Sequence, residues 1–259
     1  MTSSVNAARF SARAIRGEDD GYVAFHAPRY AFLLRELERH VRPDSRVLDI
    51  GASRLTALVR ERFGCRVDTL GFGGDQESPA GRHFEFDLNR SQNRSEWRVD
   101  LPRYDVIVMA EVIEHLYTAP QLVLAFVGSL LSDQGVLLLQ TPNAASLSRR
   151  IKLLLGRNPY EMIRVDPLNP GHFREYTVAE LRQIAREAGL RVERETLGFY
   201  LDMRFGLHTE AGNRPRLVTG AIKNVVYRSL PRSLRFGISM ELRRDPASRA
   251  TMGATRDGR

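Results

Sequence analysis

The sequence has little cysteine, few aromatic residues and no long apolar run. Its 259 residues include one cysteine, Cys65, and aromatic residues make up 8% of the chain. A single thiol excludes an internal disulfide and a multi-thiolate metal site, and it suits a reducing compartment. No run approaches the roughly 18 apolar residues of a membrane-spanning helix, and the N-terminus lacks the apolar core of a signal peptide. We therefore predict a cytoplasmic protein, and we predict no metal site.

The rest of the composition is that of an ordinary globular protein. Hydrophobic residues make up 42% of the chain and charged residues 27%, which argues against a disordered or fibrous protein. Domains of the α/β class often reach about 250 residues as a single unit. We therefore predict one folded domain over residues 21–243, with flexible tails over residues 1–20 and 244–259.

Positive charge is concentrated at the C-terminal end of the chain. The net charge is +8. Residues 214–259 hold 11 basic and 3 acidic residues, whereas the first 213 residues hold 28 of each. The overall charge alone suggests a nucleic acid or an anionic membrane as partner, but the body of the protein is neutral. Because no stacking-aromatic motif accompanies the basic segment, a nucleic-acid partner is disfavoured. No obligate protein partner is evident.

The basic segment 214–243 is predicted to contain a helix over residues 217–230 and a last strand over residues 236–242. The apolar residues of this helix share one face: Val218, Ala221, Ile222, Val225 and Val226. We favour the interpretation that this face packs on the sheet. Peripheral contact with a membrane surface is the second interpretation, since Lys223 and Arg228 lie on the polar side.

Short apolar strands alternate with amphipathic helices along the neutral body. The predicted helices cover residues 27–41, 55–63, 118–131, 145–155 and 178–189. The predicted strands cover residues 46–51, 66–70, 84–86, 104–109, 136–140 and 191–197. Thr118 with Gln121, and Thr177 with Glu180, have the spacing of a helix-capping box. The alternation predicts an α/β fold, and strands that are apolar on both faces predict a largely parallel sheet covered by helices.

Candidate functional residues follow directly after the predicted strands, where ligands bind in parallel α/β sheets. The segment Asp49-Ile50-Gly51-Ala52-Ser53 ends the first strand, and its glycine lets a backbone amide approach a ligand. The fourth strand is followed by Glu111-Val112-Ile113-Glu114-His115-Leu116. Residues 130–138 lead into the fifth strand, and residues 171–177 read Gly-His-Phe-Arg-Glu-Tyr-Thr.

In this order and spacing, the four segments resemble class I S-adenosylmethionine-dependent methyltransferases. The most similar branch is the type-11 group, which includes enzymes like the ubiquinone-biosynthesis O-methyltransferase. The resemblance covers roughly residues 27–198, and its most specific part is the segment 111–116. It implies a Rossmann-like, doubly wound sheet of seven strands, mostly parallel with an antiparallel last strand, which residues 236–242 could supply.

The resemblance also implies S-adenosylmethionine as the cofactor, together with the residues that bind it. These are Asp49, Gly51, Ala52 and Ser53 after the first strand, Asp87 and Leu88 after the third, and Ala110 and Glu111 after the fourth. The chain departs from the family pattern at two places. Ser53, Arg54 and Leu55 stand where further loop glycines are typical, and Gly71 stands in place of an acid that meets the ribose. Asp75, in the next turn, is a candidate substitute for that acid.

The implied reaction is transfer of the cofactor's methyl group to a small-molecule, glycan or lipid-linked acceptor, at an oxygen atom. His115 and His172 are the candidates for taking the proton of an acceptor hydroxyl, although either could instead brace its loop. Residues 144–176 are predicted to select the acceptor. An alternative hypothesis is a degenerate methyltransferase fold that serves as a binding or scaffold protein, because the first loop is poor in glycine and the ribose acid is missing.

Overall fold

The computed structural model describes residues 20–166, 170–205 and 217–247. Most of both predicted tails, residues 1–19 and 248–259, lies outside the described residues. The described helices are α1 (Asp20–Leu37), α2 (Arg54–Phe63), α3 (Pro120–Ser129), α4 (Leu147–Leu154), α5 (Val178–Glu187) and α6 (Leu217–Ser229). The described strands are β1 (Val47–Ile50), β2 (Val67–Gly71), β3 (Gln76–Ser78), β4 (Gly81–Glu85), β5 (Tyr104–Ala110), β6 (Leu131–Pro142), β7 (Leu190–Gly198) and β8 (Gly237–Arg244).

These strands form one mostly parallel sheet in the order β3-β4-β2-β1-β5-β6-β8-β7. Six strands share a direction, while β3 and β8 run antiparallel to their neighbours. The predicted α/β class and its antiparallel last strand are therefore confirmed, with β8 inserted between β6 and β7. The predicted count of seven strands is one too low, because the three-residue edge strand β3 was not foreseen.

Helices cover both faces of the sheet, which explains why its central strands are apolar on both sides. On one face, α3 and α5 pack on alternate strand residues such as Leu48 and Ile107. On the other face, α1 and α2 pack on the intervening residues, including Val47 and Val106. The sheet is thus doubly wound, and its parallel strands bring their carboxyl ends to one edge.

The two predicted capping boxes have different outcomes. At the start of α5, Thr177 Oγ1 accepts a hydrogen bond from the backbone N–H of Glu180, whose carboxylate accepts from the backbone of Thr177. At the start of α3, the predicted Thr118–Gln121 box is wrong. Pro120 occupies the first turn there, which shifts the helix start past Thr118 because proline is preorganised for this position. Thr118 instead donates to the side chain of Gln92.

The favoured packing of the C-terminal helix is also wrong. Val218, Ile222, Val225 and Val226 of α6 are 53–73% exposed, so the apolar face points away from the sheet. The helix is held by its other face, where Gly220 and Asn224 are buried. Close packing explains this orientation, because a Cβ atom at Gly220 would lie 2.5 Å from the backbone of Arg204. Larger apolar side chains cannot occupy that interface.

Candidate active site

A cavity of about 690 Å³ opens at the carboxyl ends of β1 and β5. Seven of the predicted site residues line it: Gly51, Ala52, Ser53, Ala110, Glu111, His115 and His172. Most of the remaining lining comes from α1, from the start of α4 and from the C-terminal segments that contain Phe199, Tyr227 and Phe236. The parallel topology thus places residues that are far apart in the sequence around one space, as the position of the motifs after the strands predicts.

The loop after β1 is a tight turn followed directly by a capped helix. Gly51 has a φ of 75°, a conformation that glycine adopts without the steric cost of a side chain. The next helix, α2, begins with a reciprocal capping box between Ser53 and Thr56. These two features give the loop a defined path without the further glycines that are typical of the resembled family.

Asp49 lies behind this loop and does not line the cavity. Its side chain is buried and accepts a hydrogen bond from Thr56 Oγ1. Burial raises the pKa of this carboxyl to about 7, although the hydrogen bond from Thr56 opposes the shift. In this position Asp49 ties β1 to α2 and supports the backbone of the loop.

The three other predicted cofactor residues lie outside the cavity lining. Asp75 accepts from the backbone N–H of Glu85 at 2.6 Å and pairs with Arg98 at 3.1 Å. Asp87 caps a short 3₁₀ helix (Leu88–Gln92) by accepting from the N–H of Asn89, and Leu88 is buried in the core. A role in cofactor binding stays a prediction for these residues and for Asp49.

Glu111 has an unusual backbone at the cavity wall. Its φ is 57°, and it is the one non-glycine residue with a positive φ among the described residues. The conformation is fixed because the N–H of Glu111 donates to the carbonyl of Gln140 at 2.8 Å. Such strain is typical of functional positions. Burial raises the pKa of Glu111, although Arg29 lies 3.6 Å from its carboxylate and opposes the shift.

Two chain segments that are distant in the sequence meet beside Glu111. The backbone N–H groups of Phe173 and Arg174 donate to the carbonyl oxygen of Glu114 at 2.8 and 3.2 Å. This pairing brings the rings of His115 and His172 together, edge to face, with centroids 4.7 Å apart. The structure therefore joins the two predicted catalytic histidines at one corner of the cavity.

Both histidines are oriented by hydrogen bonds at Nδ1. Nδ1 of His115 lies 2.9 Å from the carbonyl oxygen of Gly171. Nδ1 of His172 lies 3.0 Å from Oε1 of Glu175. Burial lowers the pKa of His115, so this ring is uncharged near neutral pH. Burial would raise the pKa of Glu175, but hydrogen bonds from His172 and then Arg149 outweigh it and lower that pKa.

Glu114 is a fully buried carboxyl at the same corner. Thr141 Oγ1 donates to its Oε2 at 2.9 Å. Burial raises the pKa of Glu114 well above its ordinary value, and the negative charge of Glu111 adds to the shift. The corner thus brings carboxyl and imidazole groups close together.

Residues 22–195 match a family of methyltransferase domains. The chain belongs to this family. A relative from Mycolicibacterium smegmatis, named as a probable S-adenosylmethionine-dependent methyltransferase, is 38% identical over 109 residues, which are 39% of this chain and 37% of that protein. The chain thus spans little more than a third of that relative's length. Together with the fold, these matches place the chain in the class I family of S-adenosylmethionine-dependent methyltransferases.

Solved structures share the fold of this methyltransferase at low sequence identity. The complex of the Trm112 methyltransferase activator from Haloferax volcanii contains a chain that matches with a TM-score of 0.56 and 16% identity, over 91% of this chain and 97% of that one. Magnesium protoporphyrin IX methyltransferase from Synechocystis, with bound SAH, matches with a TM-score of 0.52 and 13% identity, over 94% and 95% of the two chains. The [4+2]-cyclase SpnF matches with a TM-score of 0.52 at 13% identity, over 85% of this chain and 82% of that one. At these identities the likeness concerns the fold alone.

The cavity has a size and shape suited to a small-molecule cofactor. A Cβ atom at Gly51 would lie 3.1 Å from Cγ2 of Val112, so glycine lets the β1 loop and the segment after β5 approach each other at the cavity wall. The volume is within the range of about 300–1,000 Å³ that is typical of small-molecule sites. Leu55 lines this space without closing it, and Arg54 is not part of the lining. We expect Gly51, Ala52, Ser53, Ala110 and Glu111 to hold the cofactor.

Four further residues that the sequence did not indicate as site residues also line the cavity. Phe25, His26, Arg29 and Tyr30 of α1 line the cavity. The sequence predicted an amphipathic helix over residues 27–41, without site residues. Burial, together with the charge of Arg29, lowers the pKa of His26 to about 3. Their spacing was the available signal, since Phe25 and Arg29, and likewise His26 and Tyr30, are four residues apart and share a helix face.

Proposed function

We propose that this methyltransferase transfers a methyl group to a hydroxyl oxygen of a lipid-linked acceptor at an anionic membrane surface. The observation that carries the proposal is the reversed orientation of α6 beside the cavity. None of the described helices is long and apolar enough to cross a bilayer.

Helix α6 presents its apolar residues outward and its polar residue inward. Asn224 donates to Asp202 Oδ1 at 2.8 Å and accepts from the backbone N–H of Met203 at 2.9 Å. Tyr227 of the same helix lines the cavity and stacks on Phe199 with ring centroids 4.9 Å apart. The exposed valine and isoleucine face is therefore carried by a helix that also forms a wall of the cavity.

A second apolar surface lies on α4 and the segment after it. Leu147, at the start of α4, lines the cavity, and the helix has no buried residue. The exposed large apolar side chains of this region are Ile151, Leu153, Leu154, Leu155, Met162, Ile163 and Val165. So many exposed apolar side chains within one short stretch of chain favour an interaction site over ordinary surface.

The charge on these two helices favours an anionic lipid surface over a neutral partner. Helices α4 and α6 contain no acidic residue and carry four exposed basic residues, Arg150, Lys152, Lys223 and Arg228, while Arg149 is largely buried in an ion pair with Glu175. A helix with exposed apolar residues flanked by basic residues is typical of contact with anionic headgroups. Each basic residue near such a surface contributes about 1 kcal/mol of attraction.

The acceptor is expected to enter from the side of residues 144–176. A second cavity of about 450 Å³ shares His172 and Glu161 with the first. Eight of its ten lining residues belong to the segment 144–176, including Tyr160, Phe173 and Arg174. A headgroup of the acceptor in this space would lie beside His172, while its lipid remains at the apolar surface.

The chain's own residues then align the acceptor and receive its proton. When bound, S-adenosylmethionine supplies a sulfonium methyl group: the S–C bond breaks as the new O–C bond forms, which leaves S-adenosylhomocysteine and releases the hydroxyl proton. Nε2 of His115 or His172 is the candidate proton acceptor, because Nδ1 of each ring is engaged elsewhere. Holding both reactants in line is the larger contribution that a protein makes to such a step.

The membrane contact is tested by co-sedimentation of the full chain with vesicles. We expect binding to vesicles that contain phosphatidylglycerol and weak binding to pure phosphatidylcholine. Ile222→Asp should weaken the partitioning at least about tenfold, since one buried aliphatic side chain contributes about 1.5–3 kcal/mol. Leu154→Asp should do the same, whereas Val99→Asp, at an exposed valine outside α4 and α6, should not. Equal binding of all variants, or a concentration-dependent dimer that Ile222→Asp abolishes, would contradict the proposal.

The acceptor class is tested with labelled S-adenosylmethionine. Quinols, lipid-linked sugars and their soluble headgroups are compared, and we expect incorporation into a lipid-linked acceptor with release of S-adenosylhomocysteine. Incorporation into soluble glycans alone would contradict the lipid requirement. If calorimetry detects cofactor binding but no acceptor is methylated, the alternative of a scaffold protein is favoured. The cyclase that shares the fold illustrates that one fold can serve different functions.

A further inference from the structure

Three side chains at the corner of the cavity converge as a set of metal ligands. One ligand atom each from Glu114, His115 and His172 lies within 4.8 Å of the others. We propose that these residues bind a divalent transition-metal ion, which revises the expectation of no metal. An ion about 2.1 Å from each ligand allows ligand atoms up to about 4.2 Å apart. Small side-chain movements would therefore complete the site.

The tautomer of His115 suits ligation. Its Nδ1 faces the carbonyl oxygen of Gly171 at 2.9 Å, and a carbonyl oxygen only accepts. Nδ1 must therefore carry the hydrogen, and in the neutral ring Nε2 keeps its lone pair. Metal-ligating histidines characteristically donate their second ring N–H to a carbonyl or carboxylate in this way.

His172 is oriented in the same way, but its hydrogen-bond acceptor is a carboxylate instead of a backbone carbonyl. Its Nδ1 lies 3.0 Å from Glu175 Oε1, and Glu175 is also paired with Arg149. The ionised carboxylate accepts the Nδ1 hydrogen, so Nε2 of His172 is again the ligand atom. Glu175 is thus a positioning residue, because it acts through His172 rather than on the ion.

The buried side chain of Glu114 supports the metal site independently of the two histidines. It is fully buried, and while Oε2 accepts from Thr141, Oε1 has no hydrogen-bond partner among the described residues. An unpaired buried carboxylate oxygen is costly, and Glu111 and Glu175 add negative charge nearby. A bound cation would satisfy this oxygen and balance the charge.

Two imidazoles and one carboxylate define the class of ion. This set suits zinc, iron, cobalt and manganese, and it leaves coordination positions open for a further ligand. His115 and His172 line the cavity, so an acceptor hydroxyl could take an open position. Coordination would favour loss of the hydroxyl proton before methyl transfer. With the ion bound, both Nε2 atoms are occupied, so the proton would pass to water in the open cavity instead of to a histidine. This role rests on the proposed function, whereas the site itself does not.

Cobalt titration of the full chain, without acceptor or S-adenosylmethionine, tests the site. We expect one equivalent of Co²⁺ to give visible absorption bands and Zn²⁺ to displace it. His172→Ala and Glu114→Gln should each lower Co²⁺ affinity at least about 100-fold, and Glu175→Gln about tenfold. His83→Ala is the matched control, since His83 lies on β4 and bonds Thr69 and Phe72; it should leave the affinity unchanged.

Absence of one-equivalent binding would overturn the metal site, and so would binding that His172→Ala leaves unchanged. His172 is partly exposed, so this variant stays informative even if Glu114→Gln fails to fold. Because the titration contains no acceptor, its failure is distinguishable from failure of the proposed function. If the chain binds cobalt but methylates no lipid-linked acceptor, the metal site is supported and the proposed function is contradicted.

Discussion

Helices α5 and α6 have similar sequence patterns and opposite orientations. In α5, Leu181, Ile184 and Ala185 form an apolar face that is buried against the sheet. In α6 the apolar face is exposed, and the buried residues are Gly220 and Asn224. The difference shows that helical periodicity identifies a face but does not decide where that face points. The orientation of α6 is determined by close packing at Gly220 and by the hydrogen bonds of Asn224.

The largest expected effect distinguishes the two apolar faces by their contribution to stability. Leu181→Ala should lower the free energy of unfolding by about 2–5 kcal/mol, because it removes a fully buried side chain and leaves a cavity. Ile222→Ala should change it by less than about 0.5 kcal/mol, as for an exposed site. Urea unfolding of both variants measures the contrast. A loss above about 1 kcal/mol for Ile222→Ala would show that the α6 face is covered in solution.

A smaller effect tests the inner face of α6. Gly220→Ala should lower the free energy of unfolding by about 1–3 kcal/mol, because the added methyl group meets the backbone of Met203 and Arg204. Helix propensity alone predicts the opposite sign, a gain of about 1 kcal/mol. Thr219→Ala, at the neighbouring exposed position, is the control and should be neutral or slightly stabilising. Stabilisation by both substitutions would contradict the packing of α6 on Arg204.

The sequence was informative where local pattern and topology agree. The strand-end motifs containing Gly51 and Glu111 meet at one cavity because parallel strands share an edge. The late strand β8 was expected from the resemblance and is present. The pairing of His115 with His172 was not predicted, since it depends on backbone hydrogen bonds from Phe173 and Arg174 to Glu114 across a long stretch of sequence.

Long-range contacts also explain why the positions of Asp75 and of the α6 apolar face differ from those predicted. The carboxylate of Asp75 is engaged by Arg98, which lies 23 residues further along the chain. The orientation of α6 depends on Asp202 and Arg204. The spacing of apolar residues along the sequence does not predict such long-range contacts. A glycine and an asparagine four residues apart within an amphipathic helix were the local signal, because both are uncommon in helix interiors without a packing reason.

The smallest expected effect compares the starts of α5 and α3. Thr177→Ala should lower the free energy of unfolding by about 1 kcal/mol, because it removes the side chain that caps the N–H of Glu180. Thr118→Ala should cost less than about 0.5 kcal/mol, since α3 begins after it at Pro120 and the Thr118 hydroxyl donates to an exposed glutamine. Thermal and urea unfolding of the two variants measure the difference. Equal losses would show that Thr118 does cap α3 in solution. The capping box predicted from the spacing of Thr118 and Gln121 would then be present, and Pro120 would not set the start of that helix.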